Sequence, residues 1–303
     1  MPNKLNNCNL CPRNCNVDRE NGELGFCKMA KTMIIARSDL HFWEEPAISG
    51  ETKLKGSGTI FFSGCNLQCI YCQNYKISKE RKGKEITIER FALLCLELQN
   101  KGAVNINLVT PTHFVPLIIE GLKLAKEKGL TLPIVYNTSS YENIETIKLL
   151  DGIIDVYLPD LKYFDNNIAI NYSNADNYFN IAINTIEEMY KQVGKPKFTK
   201  DGIMTKGIIV RHLVLPNNKE NSKNILNYLY KTYKDNIYIS IMNQYTPLKK
   251  FTKYSELNNK VNDIEYENII EYALDLGIKN AFIQEGNTAK ESFIPNFEDY
   301  SNL

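Results

Sequence analysis

The stretch TIFFSGCNLQCIYCQNY, residues 59–75, joins an apolar run to three closely spaced cysteines. Its first five residues have the composition of a buried β-strand, and Cys65, Cys69 and Cys72 follow directly. A zinc ribbon would need a second close cysteine pair, and the sequence has none after this point. The stretch therefore predicts a strand followed by a loop that presents three thiols.

The chain after this strand alternates between strand-like and helix-like runs. Further strands are predicted at 104–109, 132–137, 153–160, 207–216 and 236–243, and helices at about 89–100, 115–129, 141–150, 174–193, 221–234 and 264–276. Such alternation is typical of a parallel sheet. Six strand–helix units are too few for a closed eight-fold barrel, so we predict an α/β fold with a partial (βα)6 TIM-like barrel over residues 59–303. Residues 281–285 are a candidate last strand, and 194–206 are predicted to be a loop or short hairpin.

Residues 1–58 are predicted to form a small Cys-rich metal-binding extension, with residues 31–58 as an irregular link to the barrel. The polar residues around its cysteines cannot build a core, so a bound metal would provide much of the folding free energy of this segment. Four thiolates suit either a zinc ion or a second iron–sulfur cluster. The four cysteines are Cys8, Cys11, Cys15 and Cys27.

Charge and composition narrow the classes of protein. The formal net charge of +1 and the lack of a basic stripe argue against a nucleic-acid partner. No apolar run reaches the ~18 residues of a membrane span, and the first residues do not resemble a signal peptide, so we expect a cytoplasmic protein. In a reducing compartment clustered cysteines are more often metal ligands than disulfides. Seven of the eight cysteines lie in the first 72 residues, and Cys95 is expected to be a small buried hydrophobe on a helix.

Three thiolates are one fewer than a four-iron cluster normally takes. Because such clusters bind about one cysteine per iron, Cys65, Cys69 and Cys72 would leave one iron without a protein ligand. An open coordination position distinguishes a catalytic metal site from a closed structural one. The predicted loop also follows the carboxyl end of a strand, where parallel βα folds collect their chemistry.

These residues resemble the radical S-adenosylmethionine (SAM) superfamily, whose signature C-x3-C-x-aromatic-C is present as Cys65, Cys69, Tyr71 and Cys72. The resemblance implies a [4Fe-4S] cluster, SAM chelated to the open iron, and one-electron cleavage of SAM to a 5′-deoxyadenosyl radical that abstracts hydrogen from a substrate. It also implies a reductant such as flavodoxin or ferredoxin. Other stretches resemble the branch related to pyruvate formate-lyase activating enzyme: GSGTIFFSGCNLQCIYCQNYKIS (56–78), NLVTPTH (107–113), YNTSSY (136–141), DVYLPDLKY (155–163) and VRHLVLP (210–216).

The resemblance further implies SAM contacts on the loops that follow the strands. Tyr71 would contact the adenine, although an inward-packing loop aromatic is the alternative. The segment with Thr110, Thr112 and His113 stands where relatives carry a Gly-Gly-Glu-type motif, which this sequence lacks. A threonine before Pro111 is also an ordinary helix start.

Polar residues after the later strands are candidates of the same kind. Asn137 and Ser139 could bind ribose or carboxylate, or cap the next helix. Asp160 and Lys162 resemble an Asp-x-Lys pair of activating enzymes, with an exposed ion pair as the alternative. Arg211 and His212 are adjacent on a strand, so one should point into the barrel; Arg211 would bind the SAM carboxylate or form a salt bridge. His41, Trp43, Glu44 and Glu45 would line the mouth of the site or form a surface loop.

Two classes of function follow from these observations. The first is a radical SAM enzyme that takes hydrogen from a glycyl-radical enzyme, a peptide or a small molecule. The second is a non-catalytic iron–sulfur or zinc protein that acts as a redox sensor or binding module. The chain lacks the ferredoxin-like insert, with two further cysteine-rich motifs, that many glycyl-radical activating enzymes carry.

Overall fold

The computed structural model describes residues 5–50, 55–284, 295, 297 and 300–303. Its strands within these ranges are β1 (Met33–His41), β2 (Gly56–Phe62), β3 (Lys84–Ile86), β4 (Ala103–Val109), β5 (Ile134–Thr138), β6 (Val156–Pro159), β7 (Lys197–Phe198), β8 (Met204–Leu213), β9 (Tyr238–Met242) and β10 (Ala281–Ile283). The α-helices are α1 (Pro46–Ser49), α2 (Tyr75–Ser78), α3 (Ile88–Asn100), α4 (Val115–Glu127), α5 (Ile144–Ile147), α6 (Asn166–Ser173), α7 (Tyr178–Val193), α8 (Lys219–Tyr233) and α9 (Asp263–Asp275).

The strands form one sheet in the order β10-β9-β8-β6-β5-β4-β2-β1-β3, with β7 paired to β8. All pairings from β2 to β10 along this path are parallel, and β1 and β3 add antiparallel strands at one edge. The predicted α/β fold and the partial barrel are confirmed. The candidate last strand is β10, although Glu285 at the end of the predicted run lies outside the described residues.

Residues 31–58 were predicted to be an irregular link, which is wrong for residues 33–41, because these form the strand β1. This nine-residue strand pairs with β2 on one side and with β3 on the other. Its first four residues and Ser38 are buried and the other four are partly exposed, as expected where a strand runs toward the rim of a sheet. The division of the chain at residue 58 remains a prediction, but the sheet already begins with β1.

The two faces of the sheet bury different partners because successive side chains alternate. One face packs on the long helices and forms the main core, which includes Leu108, Tyr136 and Val210. On the other face, side chains of β5, β6 and β8 pack on Ala47 and Ile48 of α1. The segment before β2 therefore fills part of the barrel interior.

The sheet curves so that loops of distant strands meet at its carboxyl edge. Tyr71, which follows β2, lies 6.0 Å from Tyr245, which follows β9, between ring centroids. In a flat sheet β2 and β9 would be roughly 24 Å apart, since five strand spacings separate them. The contact shows that the strands wrap around a shared interior. Among the described residues, none of the helices is long and apolar enough to cross a bilayer.

Candidate active site

The cysteine triplet lies on the loop between β2 and α2, at the carboxyl edge of the sheet. Cys69 is buried, and Cys65 and Cys72 are half-buried. The backbone N–H of Leu67 donates to Cys65 Sγ at 3.3 Å, and the Ser78 hydroxyl donates to Cys72 Sγ at 3.4 Å. Donors aimed at sulfur stabilise thiolates, so this loop is built to hold charged cysteines.

Burial and neighbouring thiols raise the pKa values of Cys65 and Cys72. Burial raises the pKa of Cys65 to about 12, and the charges of Cys69 and Cys72 add to this effect. Burial and Cys69 raise the pKa of Cys72 as well. Three crowded thiols in a dry loop give up their protons only when a cation compensates their charge. The loop therefore favours a positively charged metal centre as its occupant.

The donor set can be compared with the ligands that different metal centres need. Within the described ranges, no three His, Cys, Asp or Glu side chains converge as the ligands of one metal ion do. A four-iron cluster takes each thiolate at a separate corner, so its ligands need not meet at one point. Three cysteines on one loop, with hydrogen-bond donors directed at two of their sulfurs, fit such a cluster.

Tyr71 is fixed inside an aromatic wall beside the triplet. Its hydroxyl lies 2.6 Å from that of Tyr163, which is 3.9 Å from Cys69 Sγ. Its ring packs edge-on against Tyr172 and Tyr245. The geometry is that of the inward-packing alternative for this side chain, and the adenine contact remains a prediction.

Asp160 and Lys162 form a salt bridge of 2.7 Å beside the triplet. Their side chains are only 17% and 15% exposed, so the pair is mostly buried. Burial alone would lower the pKa of Lys162, but the charges of Asp160 and Cys69 outweigh it and raise that pKa. The Lys162 charge in turn offsets part of the rise in the pKa of Cys72 that burial and Cys69 cause. The pair is therefore electrically coupled to the cysteine loop.

Arg211 points into the barrel and is paired with glutamates from the segment before β2. Its guanidinium binds both carboxylate oxygens of Glu45, with Nε–Oε1 at 2.9 Å, and also binds Glu44. Asn107 of β4 donates to the same Glu44 carboxylate at 3.1 Å. Burial opposes ionisation of Glu45, but the Arg211 charge and hydrogen bonds lower its pKa. The observed role of Arg211 is thus the salt bridge, and Glu45 is a buried interior group, neither at the mouth nor on the surface.

His212 points to the opposite face of β8. Its Nδ1 lies 2.8 Å from the Leu161 carbonyl oxygen, and its Nε2 lies 2.8 Å from the Ser222 hydroxyl on α8. Burial lowers the pKa of His212 to about 4. The ring therefore joins β8 to α8 and the β6 end on the helix side of the sheet.

Thr112 and His113 are engaged in contacts between loops. The Thr112 hydroxyl donates to Glu142 Oε1 at 2.6 Å, and His113 Nε2 lies 2.7 Å from the Ser63 carbonyl oxygen. Thr110 precedes them in a left-handed conformation, with φ of 58°. These contacts favour the structural alternative for Thr112 and His113.

Glu142 is a buried carboxylate near the site that the sequence interpretation did not consider. Its Oε1 accepts hydrogen bonds from the hydroxyls of Thr112, Thr138 and Tyr136. Burial raises the pKa of Glu142 to about 7. The available signal was a carboxylate two residues after the YNTSS run that follows β5.

The N-terminal cysteines form a knot that lies on the triplet loop. Gln68 of that loop donates to the Phe26 carbonyl at 2.6 Å, and Arg13 Nε donates to the Asn66 carbonyl at 2.8 Å. Within the knot, burial raises the pKa of Cys11 to about 12. The knot comprises Cys8, Cys11, Cys15, Cys27 and the turns between them.

A parallel, partly closed barrel with three cysteines on its first loop defines a metal-dependent class of enzyme. The family profile described as "Radical SAM superfamily" matches residues 59–207. An uncharacterised protein of Methanocaldococcus jannaschii is 31% identical over 287 residues, which cover 90% of this chain and 77% of that protein. The chain belongs to the radical SAM superfamily and is an enzyme of it.

Two further similarities concern part of the sequence and the fold. The pyruvate formate-lyase-activating enzyme of Clostridium pasteurianum is 30% identical over 113 residues, which cover 36% of this chain and 46% of that enzyme. The crystal structure of HydG, a maturase of the [FeFe]-hydrogenase, superposes with a TM-score of 0.54 at 14% identity, covering 78% of this chain and 53% of that one. The second similarity concerns the fold alone, and the first places an activating enzyme among the relatives.

Proposed function

We propose that this chain cleaves SAM reductively at a [4Fe-4S] cluster held by Cys65, Cys69 and Cys72, and that it abstracts hydrogen from a substrate. The observation that carries the proposal is the placement of three mutually interacting thiols on the first loop of the barrel, beside a buried Asp160–Lys162 pair. When bound, the cluster and SAM supply a one-electron cleavage that gives a 5′-deoxyadenosyl radical.

The residues around the loop would bind and orient the cluster and SAM, and they would exclude water. Lys162 places a positive charge near Cys69 and Cys72, which favours the thiolate forms that ligate iron. Tyr71 and its aromatic neighbours close one side of the loop and keep water from it. Asp160, salt-bridged to Lys162, remains a candidate SAM contact.

Candidate SAM contacts on β4 and β5 can be ordered by face. Val135 packs on the interior segment, so the alternation of β5 directs Asn137 toward the interior. Thr138 faces the other way and binds Glu142. The better remaining candidates for SAM contacts are therefore Asn137 and, on the adjoining loops, Thr110 and Ser139. Thr112 and His113 are weaker candidates.

We further propose a substrate class, an electron donor and a second metal centre. The similarity to activating enzymes supports a glycyl-radical enzyme as substrate, and a peptide or a small molecule is the alternative. A flavodoxin or ferredoxin would supply the electron, and the cytoplasm would keep the thiols reduced. Cys8, Cys11, Cys15 and Cys27 would hold a second centre, either zinc or iron–sulfur.

The test is the production of 5′-deoxyadenosine. Anaerobically reconstituted protein, reduced with dithionite and given SAM, is expected to release the nucleoside. Cys69→Ala should abolish this because it removes one of three cluster ligands. Cys95→Ala is the matched control, since Cys95 is a fully buried thiol on α3, outside the triplet loop.

Two results would contradict the proposal. One is a wild-type protein that carries a full cluster at the triplet and forms no nucleoside, which would favour the redox sensor. The other is a Cys69→Ala protein that cleaves SAM as fast as the Cys95→Ala control. Metal analysis of Cys69→Ala would show separately whether the N-terminal centre is loaded.

A further inference from the structure

Arg19 is a fully buried arginine without a carboxylate partner among the residues that the structure describes. Its Nε and Nη2 donate to the Ala30 carbonyl at 3.2 and 2.7 Å, and its Nη1 donates to the His113 carbonyl at 2.7 Å. Carbonyl oxygens satisfy its N–H groups but do not cancel its charge. A buried charge is costly unless an opposite charge compensates it.

The carboxylates next to Arg19 in the sequence are directed elsewhere. Asp18 accepts hydrogen bonds from the backbone and side chain of Asn21. Glu20 forms a salt bridge with Lys31. The group that Arg19 does face is sulfur: Nη1 lies 3.7 Å from Cys8 Sγ, and the Arg19 charge acts on Cys27.

Two sulfurs of the knot, those of Cys15 and Cys27, flank the position of Gly25. A Cβ atom on Gly25 would lie 3.6 Å from both Cys15 Sγ and Cys27 Sγ. The backbone N–H of Phe26 donates to Cys15 Sγ at 3.2 Å. Hydrogen-bond donors from the backbone and from Arg19 thus converge on thiols that, as neutral groups, would have no need of them.

We propose that Arg19 is the buried counter-ion of an anionic metal–tetrathiolate centre formed by Cys8, Cys11, Cys15 and Cys27. A zinc ion with four thiolates and an oxidised four-iron cluster with four thiolates are both doubly negative, so either charge would compensate the guanidinium. Because no three of the described Cys side chains converge as the ligands of one metal ion do, the four-iron cluster is the form that the knot fits better. This inference deepens the second metal centre of the proposed function and does not depend on SAM cleavage. Arg19 is a positioning residue here, because it acts on the ligands and not on a substrate.

The same guanidinium joins the knot to the barrel. It holds the His113 backbone carbonyl, and the His113 ring contacts the Ser63 carbonyl two residues before Cys65. The counter-ion is therefore shared between the knot and the base of the triplet loop. Metal binding at the N-terminal centre would therefore stabilise the start of the triplet loop through Arg19 and one intervening residue, His113.

The test uses the full chain with Cys65, Cys69 and Cys72 all changed to Ala, so that any retained metal belongs to the knot. Elemental analysis of iron, zinc and sulfide in anaerobically purified protein identifies the metal. Arg19→Met and Arg19→Lys are made in this background. Arg37→Met is the matched control. Arg37 lies on β1 and pairs with Asp39, and none of the described contacts joins it to a sulfur of the knot.

We expect one centre per chain in the background protein and in Arg37→Met. Arg19→Met should release its metal to a chelator at least ~10-fold faster, and Arg19→Lys by less, because lysine keeps the charge but loses the planar fork. The effect of Arg19→Met on the denaturation midpoint should depend on metal loading. The variant lowers the midpoint more in the metal-loaded protein, where it removes a counter-ion, than in the metal-free protein, where removal of an uncompensated charge offsets the lost carbonyl hydrogen bonds.

Three outcomes overturn the inference. The background protein could hold no stoichiometric metal. Arg19→Met could lose metal no faster than Arg37→Met. It could also lower the midpoint equally in both states, as a purely packing role would. None of these outcomes bears on SAM cleavage, which is measured in the protein with its triplet intact.

Discussion

His212 stays a neutral imidazole because it is sealed between β8 and α8. Both ring nitrogens have partners, the Leu161 carbonyl and the Ser222 hydroxyl, and burial holds the pKa at about 4. In the unfolded chain the same ring would take up a proton near pH 6.5. Because the folded pKa is depressed, the stabilisation is complete above pH 6.5 and is lost as the pH falls toward 4.

Replacement of this ring should therefore flatten the acid side of the stability profile. For wild type, the shift of His212 accounts for roughly 3 kcal/mol of lost stability between pH 7 and 4. His212→Gln should lose less over this range, although it starts lower at pH 7. Urea denaturation at several pH values measures this. His113, with a pKa lowered to about 3 by burial, keeps part of the slope, and an unchanged slope in the variant would contradict the assignment.

At the residue scale, the sequence predicted which way a side chain points better than it predicted which residue that side chain contacts. The alternation of a strand correctly placed Arg211 and His212 on opposite faces. The partners of Arg211, Glu44 and Glu45, are more than 160 positions away in the sequence. No local pattern reports such a contact, so the choice between SAM and a salt bridge stayed open.

At the scale of elements, Gly121 allows α4 to approach α3. A Cβ atom there would lie 2.4 Å from Phe91 Cδ1. Phe91 is fully buried and packs against Phe62, with ring centroids 6.0 Å apart, so it has little room to move. The glycine, which is unfavourable inside a helix, is retained by packing.

Gly121→Ala should therefore destabilise the protein, although helix propensity alone would predict a gain of up to about 1 kcal/mol. Overpacking against Phe91 is expected to cost about 1–3 kcal/mol, which exceeds that gain. The measurement is the free energy of unfolding in urea. Adding Phe91→Leu should recover part of the loss in a double-mutant cycle, and a Gly121→Ala protein more stable than wild type would refute the packing argument.

The long helices and the parallel strands were predictable because their apolar periods are strong. The helix predicted at 89–100 is α3, and that at 221–234 is α8. β1 was missed because charged residues interrupt the apolar pattern in its second half. Only its pairing with the adjacent strands β2 and β3 identifies this part of the chain as a strand. α6 was not predicted, since the helix predicted at 174–193 begins after it and corresponds to α7. Asn174, in a left-handed conformation, ends α6 and separates the two helices.

At the scale of the whole molecule, the knot and the barrel share a close backbone contact at Gly64. A Cβ atom there would lie 2.7 Å from the Cys27 carbonyl oxygen and 2.7 Å from Met29 Cγ. Gly64 has a φ of +83° and directly precedes Cys65. The N-terminal extension thus contacts the triplet loop where only a glycine fits.

Gly64→Ala should separate these two parts of the molecule and reduce iron at the triplet. Gly102→Ala is the control, because Gly102 has a φ of +87° and nothing within 4 Å of its Cβ position. Both variants carry backbone strain of about 1–2 kcal/mol, but only Gly64→Ala adds the collision with the knot. Iron per chain and the unfolding midpoint are compared in reconstituted protein. Equal values in the two variants would show that the contact is unimportant.

The pairing of Glu44 and Glu45 with Arg211 also has a consequence for biosynthesis. The two carboxylates leave the ribosome 166 or more residues ahead of their cation. Until that cation arrives, withdrawing them from water costs several kcal/mol each, so they remain hydrated. A nascent chain that stops before β8 cannot complete its interior, so the barrel closes only after β8 has been synthesised.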